Sequence, residues 1–126
     1  RRRRWTRGNK LARLLSASIE VAAMDRIDLL ILRTLALAPL HGYGIGQRIE
    51  QASGGELRIT LGALYPALQR LERTGLVKAS WSMSENNRRA RYYTLTASGR
   101  RKLSSGQKAW ERRTAAMLRV LYAEAE

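Results

Sequence analysis

Between Thr60 and Leu95 the apolar period changes once, from helical to alternating, and that switch limits the fold more than any other feature. Thr60 is a good helix cap, and Leu61, Leu64, Leu68 and Leu71 follow at helical spacing as one apolar stripe. Ala63, Tyr65, Pro66, Gln69, Arg70, Arg73 and Thr74 face away from it, and Gly75 supplies the stop. Pro66 has no N–H to give the Gly62 carbonyl, so an irregular or widened first turn is expected around Gly62. Two alternating runs come next. Residues 76–83 place Val77, Ala79, Trp81 and Met83 on one face; residues 88–95 oppose Arg89, Arg91, Tyr93 and Leu95 to Arg88, Ala90, Tyr92 and Thr94. Ser84, Glu85, Asn86 and Asn87 between them are turn residues, and asparagine tolerates positive φ. The pair reads as a hairpin.

Two further helices precede this unit. Asp25 is placed to cap the first, whose face of Ile27, Leu30, Ile31, Thr34 and Leu35 is widened by Leu29 and Leu32, so that it should be largely buried. Pro39 and Gly42 end it. The second carries Tyr43, Ile45, Ile49 and Ala52 at helical spacing and stops at Ser53, Gly54 and Gly55. After the hairpin, Thr96 caps a last helix on which Leu103, Trp110, Met117 and Leu121 repeat, with Gln107 and Thr114 in the intermediate seam positions. Three helices followed by a hairpin is the order of a winged helix-turn-helix. The expected fold is therefore mainly α with a small β-hairpin: a winged-helix domain over 24–95 and a C-terminal dimerisation helix over 96–126. A homodimer through residues 98–123 would cover the apolar stripe of that helix, part of the stripe packing on the first helix and the rest on the partner.

Charge narrows the function. The 126 residues carry a net charge of +14, which calls for a polyanionic partner such as double-stranded DNA. Residues 1–23 hold seven of the 24 basic side chains against one acid, Glu20, and read as a basic, flexible N-terminal extension. Met24 stands directly before the first organised segment, so sequence upstream of the natural start is as good a reading of 1–23 as a DNA-binding arm. The remainder is also basic. If the leucine stripe of the third helix faces inward, Tyr65, Gln69, Arg70 and Arg73 are left outside, where Arg suits guanine and Gln suits adenine. Arg88, Arg89 and Arg91 form a cationic cluster beside the hairpin turn, suited to phosphates, the alternative being that they pair with acids such as Glu85 and Glu72. Thr60 joins these as a candidate contact.

Other classes are poorly served. No cysteine and a single histidine, His41, leave no usual zinc site, and His41 before a glycine suits a loop anchor. Glu56 and Glu85 have no visible partner for acid–base work, and Gly54-Gly55 lacks the lysine of a phosphate-cradling loop. We expect no enzyme, no cofactor and no metal. There is no apolar run of membrane-spanning length and no secretory leader, which agrees with a cytoplasmic address and no membrane partner. Two other readings compete with a sequence-specific regulator: an architectural, non-specific nucleic-acid binder, and a protein whose residues 1–15 meet anionic lipid.

Beyond these properties, the chain resembles a known family. His41-Gly42-Tyr43-Gly44, Thr60-Leu61-Gly62-Ala63-Leu64-Tyr65-Pro66-Ala67-Leu68 and Leu71-Glu72-Arg73-Thr74-Gly75-Leu76-Val77 are similar to the PadR pattern. The segment from Asn87 to Thr96, followed by Gly99, is similar too, and the likeness runs from about Asp28 to Leu121. The resemblance implies a bacterial transcriptional repressor of the short-C-terminal-helix subclass, nucleoid-associated when bound to DNA, whose last helix makes the dimer. It accounts for a proline inside the recognition helix. It implies backbone contacts for Tyr65 and for Arg88, Arg89 and Arg91. It also implies a hydrophobic small-molecule effector between the terminal helices beside Trp110, where the alternative is plain dimer packing of Leu103, Trp110, Met117 and Leu121.

Overall fold

The computed structural model describes residues 26–125; the basic arm over 1–23 and the expected cap Asp25 lie outside the described residues. A first helix, α1, runs to residue 37. Strand β1 (Leu40–His41) leads directly into α2 (Gly42–Ala52), and α3 (Leu61–Arg73) follows. Strands β2 (Val77–Met83) and β3 (Arg89–Leu95) form the hairpin, and α4 (Ala97–Leu121) closes the order. The sheet has three antiparallel strands in the order β1-β3-β2, one more than the hairpin expected from alternation. Its extra strand is two residues long, pairing Leu40 with Tyr93 and His41 with Tyr92, too short for any period to show.

The core is where the helical and alternating patterns meet. Ile31, Leu32 and Leu35 of α1, Ile45 and Ile49 of α2, and Leu64, Ala67, Leu68 and Leu71 of α3 pack with Val77, Tyr93, Leu95 and Leu103. Leu103 is the one α4 side chain in that cluster. In the hairpin, Val77 lies opposite Leu95 and Ala79 opposite Tyr93, so the face that is apolar near the sheet's base turns inward. Farther out the same face carries Trp81 and Met83, both exposed.

Helix α3 departs from expectation in two ways. Leu61 is not part of the buried stripe; it is 48% exposed, and Ala67 takes a core place instead. The inward face is thus rotated toward Ala67, which a stripe of leucines conceals because alanine carries little hydropathy signal. Pro66 causes no widened turn: the helix is α-helical from Leu61 through Arg73. Gly62 and Pro66 both lie on the exposed side, so the carbonyl left without a proline N–H belongs to a residue open to solvent. The ends are as expected. The Thr60 hydroxyl accepts from the Ala63 N–H at 3.2 Å. At the other end Leu76 N–H bonds the Leu71 carbonyl and Gly75 N–H that of Glu72, with Gly75 at φ +79, a paired C-terminal closure that needs a left-handed residue.

Helix α4 is tied to the domain by its start. Thr96 Oγ accepts from the Gly99 N–H at 3.0 Å and lies 2.8 Å from the Gly75 carbonyl and 3.0 Å from that of Leu76. Gly99 is buried against the Leu76 carbonyl so closely that no Cβ fits between them. Beyond Trp110 the helix leaves the core: Met117, Leu118, Val120, Leu121 and then Tyr122 are all exposed. No helix among the described residues is long and apolar enough to cross a membrane.

Candidate nucleic-acid interface

The N-terminus of α2, the outer face of α3 and the outer half of the hairpin border one open cleft of about 880 Å³. Tyr65 and Gln69 line it from α3, Tyr43 and Gln47 from α2, and Arg88 and Arg89 from the hairpin. Tyr65 stands at the centre. Its ring lies over Gly42, where an added Cβ would meet the ring Cε1 and Oη at 2.7 Å. The first helical residue of α2 must therefore lack a side chain for Tyr65 to hold this place, and 43% of Tyr65 remains exposed.

His41 organises the cleft from the opposite wall. It is the N-cap of α2, with Nδ1 accepting from the Gly44 N–H at 3.0 Å. That bond leaves Nε2 as the N–H of the neutral ring, facing Glu85 Oε1 at 3.3 Å in the hairpin turn. The ring also meets Tyr92 edge to face, with centroids 5.3 Å apart. One side chain thus links β1, α2 and the hairpin turn, which agrees with the anchoring role expected of it. Asn87 takes φ +60 in that turn, and its N–H bonds the Ser84 carbonyl at 2.9 Å.

The cationic residues fall into two groups that spacing does not distinguish. Arg88 has no acidic partner among the described residues, and Arg89 lies over the Trp81 ring at 4.8 Å, which leaves its guanidinium edges open. Gln69 and Arg73 are exposed as expected, as is Thr60, whose hydroxyl serves the helix cap. Arg91, which also lines the cleft, and Arg70 are instead each held by an acid. Arg91 Nη2 bonds Glu72 Oε2 at 2.7 Å, tying β3 to the end of α3. Arg70 Nη2 bonds Asp28 Oδ1 at 3.0 Å, tying α3 to α1. Spacing places both among the outward-facing residues; the structure turns each to a carboxylate, because Arg70 flanks the rotated core face and Glu72 lies within reach of β3. Burial pushes the nearby Tyr93 phenol up from its ordinary value, opposed by Arg91.

Of the four residues expected along α4, only Leu103 and Trp110 come together. They border an apolar groove of about 360 Å³ with Leu29 and Leu30 of α1, rimmed by Arg26 and Arg33. Met117 and Leu121 lie beyond it in the exposed half of the helix. Among the described residues no group of acidic, histidine or cysteine side chains is arranged to hold a metal ion.

The likeness to known proteins agrees with this architecture. A crystal structure of a PadR family transcription regulator from Clostridium difficile R20291 superposes with a TM-score of 0.65 at 30% identity, covering 75% of this chain and 97% of that one. The structure of Bacillus subtilis PadR in complex with operator DNA superposes with a TM-score of 0.58 at 26% identity, over 65% of this chain and 46% of that one. An uncharacterised 37.1 kDa protein of transposon TN4556 from Streptomyces fradiae is 45% identical over 73 residues, 58% of this chain and 19% of that protein. This chain thus matches about a fifth of the length of that relative. Residues 31–105 match the model of the transcriptional regulator PadR-like family, from the core of α1 to the first turns of α4, and the chain belongs to that family.

Proposed function

We propose that the protein is a sequence-specific DNA-binding repressor that acts in the bacterial cytoplasm as a homodimer on a palindromic operator. One observation carries the reading: the exposed face of α3 and the unpaired arginines of the hairpin border the same cleft. In a winged helix the third helix enters the major groove while the hairpin reaches the backbone. Gln69 has the paired donor and acceptor that adenine presents in reverse, and Tyr65 has a hydroxyl suited to a phosphate oxygen. Arg88 and Arg89 supply charge for the flanking backbone. Arg70 and Arg91 act at one remove, holding α3 and β3 in their mutual placement. The operator complex of Bacillus subtilis PadR supports the same use of this fold.

Dimerisation is supported by the exposed run of Met117, Leu118, Val120, Leu121 and Tyr122, an apolar surface that a second copy would remove from water. The groove beside Trp110 lies between α1 and α4, and its size suits a small apolar effector that relieves repression. Selection of sites from a random duplex library, followed by affinity measurements on the selected and a random duplex, tests the function. The reading requires an inverted repeat and a preference of about a thousandfold or more over random sequence. Equal affinity for all sequences would make the protein an architectural nucleic-acid coat instead.

A further inference from the structure

The outer face of α3 begins with a residue that the fold does not need there. Leu61 is the first residue of the helix, yet 48% of it is exposed and it lies outside the buried cluster. A polar residue would satisfy that helix start at least as well, since the Thr60 hydroxyl already caps it. Leu61, Tyr65 and Gln69 follow one another at intervals of four, so they share one face. No formal charge occurs between Leu61 and Gln69, and the next residue, Arg70, is held by Asp28. Gly62, beside Leu61, is exposed, and an added Cβ would meet nothing nearer than 3.9 Å. The first turn of α3 therefore presents a leucine side chain next to bare backbone, a surface that is able to approach another molecule closely.

We infer that Leu61 is a specificity-determining residue that reads the C5-methyl group of a thymine in each operator half-site. The inference rests on the proposed entry of α3 into the major groove. There the N-terminal residues of the helix meet base edges, and the thymine methyl is the apolar feature those edges offer. A leucine at this position removes that methyl from water together with its own exposed surface. The three residues of the face then divide the work. Leu61 selects thymine, Gln69 suits adenine, and Tyr65 between them fixes the helix to the backbone. With no free arginine in the first two turns, the part of the half-site under this face is selected for T·A pairs and not for guanine.

Replacing thymine by deoxyuridine removes the methyl and leaves the pairing edge intact. Each thymine of the selected operator is replaced in turn, and the affinities of the wild type, Leu61→Ala and Leu61→Met are compared, with a random duplex as control. In the wild type one symmetry-related thymine should be sensitive, losing roughly fourfold per half-site, or roughly sixteenfold when both are replaced. Leu61→Ala should bind the thymine and uracil operators alike, and Leu61→Met should keep the discrimination. Because Leu61 is outside the core but half-buried, Leu61→Ala should fold and melt slightly below the wild type, and Leu61→Met should melt with it. If Leu61→Ala keeps the full preference for thymine, or if no thymine is sensitive in the wild type, the inference fails while the DNA-binding reading stands. If no sequence is preferred at all, both fail.

Discussion

Arg91 is bonded to Glu72 at 2.7 Å, whereas Arg89 lies over Trp81 and Arg88 has no acidic partner among the described residues. Phosphate contacts raise affinity for every sequence through counterion release, so the open arginines should govern the salt dependence. Replacing Arg88 and Arg89 together by Ala should reduce the slope of log affinity against log salt by about 0.9 per lost contact, twice over in a dimer, on a random duplex. Arg91→Ala should leave that slope nearly unchanged and instead lower stability by about 1 kcal/mol, because it frees β3 from α3 through a partly exposed pair. A salt titration beside a thermal melt separates the two effects. Gly42 gives a second residue-scale test. An Ala Cβ would displace the end of the Tyr65 side chain, which is able to swing away, so Gly42→Ala should fold normally yet bind the operator as weakly as Tyr65→Ala. The alternation of the hairpin was legible in the sequence, as was the turn asparagine. The pairing of Arg91 with Glu72 stood in the sequence only as an alternative to phosphate contact, because the acid lies 19 residues away on another element and local spacing does not decide between the two.

Helix α3 shows how far element-scale patterning reaches. Its start at Thr60 and its stop at Gly75 follow from side chains that satisfy orphan backbone groups, and both occur where the sequence places them. Gly75→Ala should cost about 1 kcal/mol, since φ +79 is strained for any residue with a Cβ, and denaturant unfolding would show it. The buried face was less legible. Four leucines at helical spacing define a stripe, but Leu61 falls at the first turn, beyond the reach of the core, and Ala67 replaces it. The same limit hid β1, whose two residues form a strand only because β3 is there to pair with them. Close approach is likewise a tertiary fact. Gly99→Ala drives a methyl into the Leu76 carbonyl and against Leu95, neither a flexible chain end, so a loss of about 2–3 kcal/mol is expected in the same unfolding experiment.

At the scale of the molecule the described chain is divided into a packed winged-helix body and an uncovered half-helix. Leu103 is the last α4 residue in the core, while Met117, Leu118, Val120 and Leu121 lie open 14 or more residues farther on. The repeat of apolar positions along α4 was evident in the sequence, as was the expectation that part of it packs on the first helix; which members do so was not, because period alone says nothing about where along a helix its neighbour changes. Covered by a second copy, these residues would set two bodies about a two-fold axis and present two α3 helices to one side of a duplex. Met117→Glu with Leu121→Glu should then give a monomer in sedimentation and keep the body folded, because neither residue lies in the core. The most direct test of the account is a hydroxyl-radical footprint of the wild-type chain on its selected operator. The account predicts two symmetric protected regions whose centres lie one duplex turn apart, roughly 34–36 Å, or a multiple of it. A single asymmetric protected region, or protection spread evenly along the duplex, would contradict it.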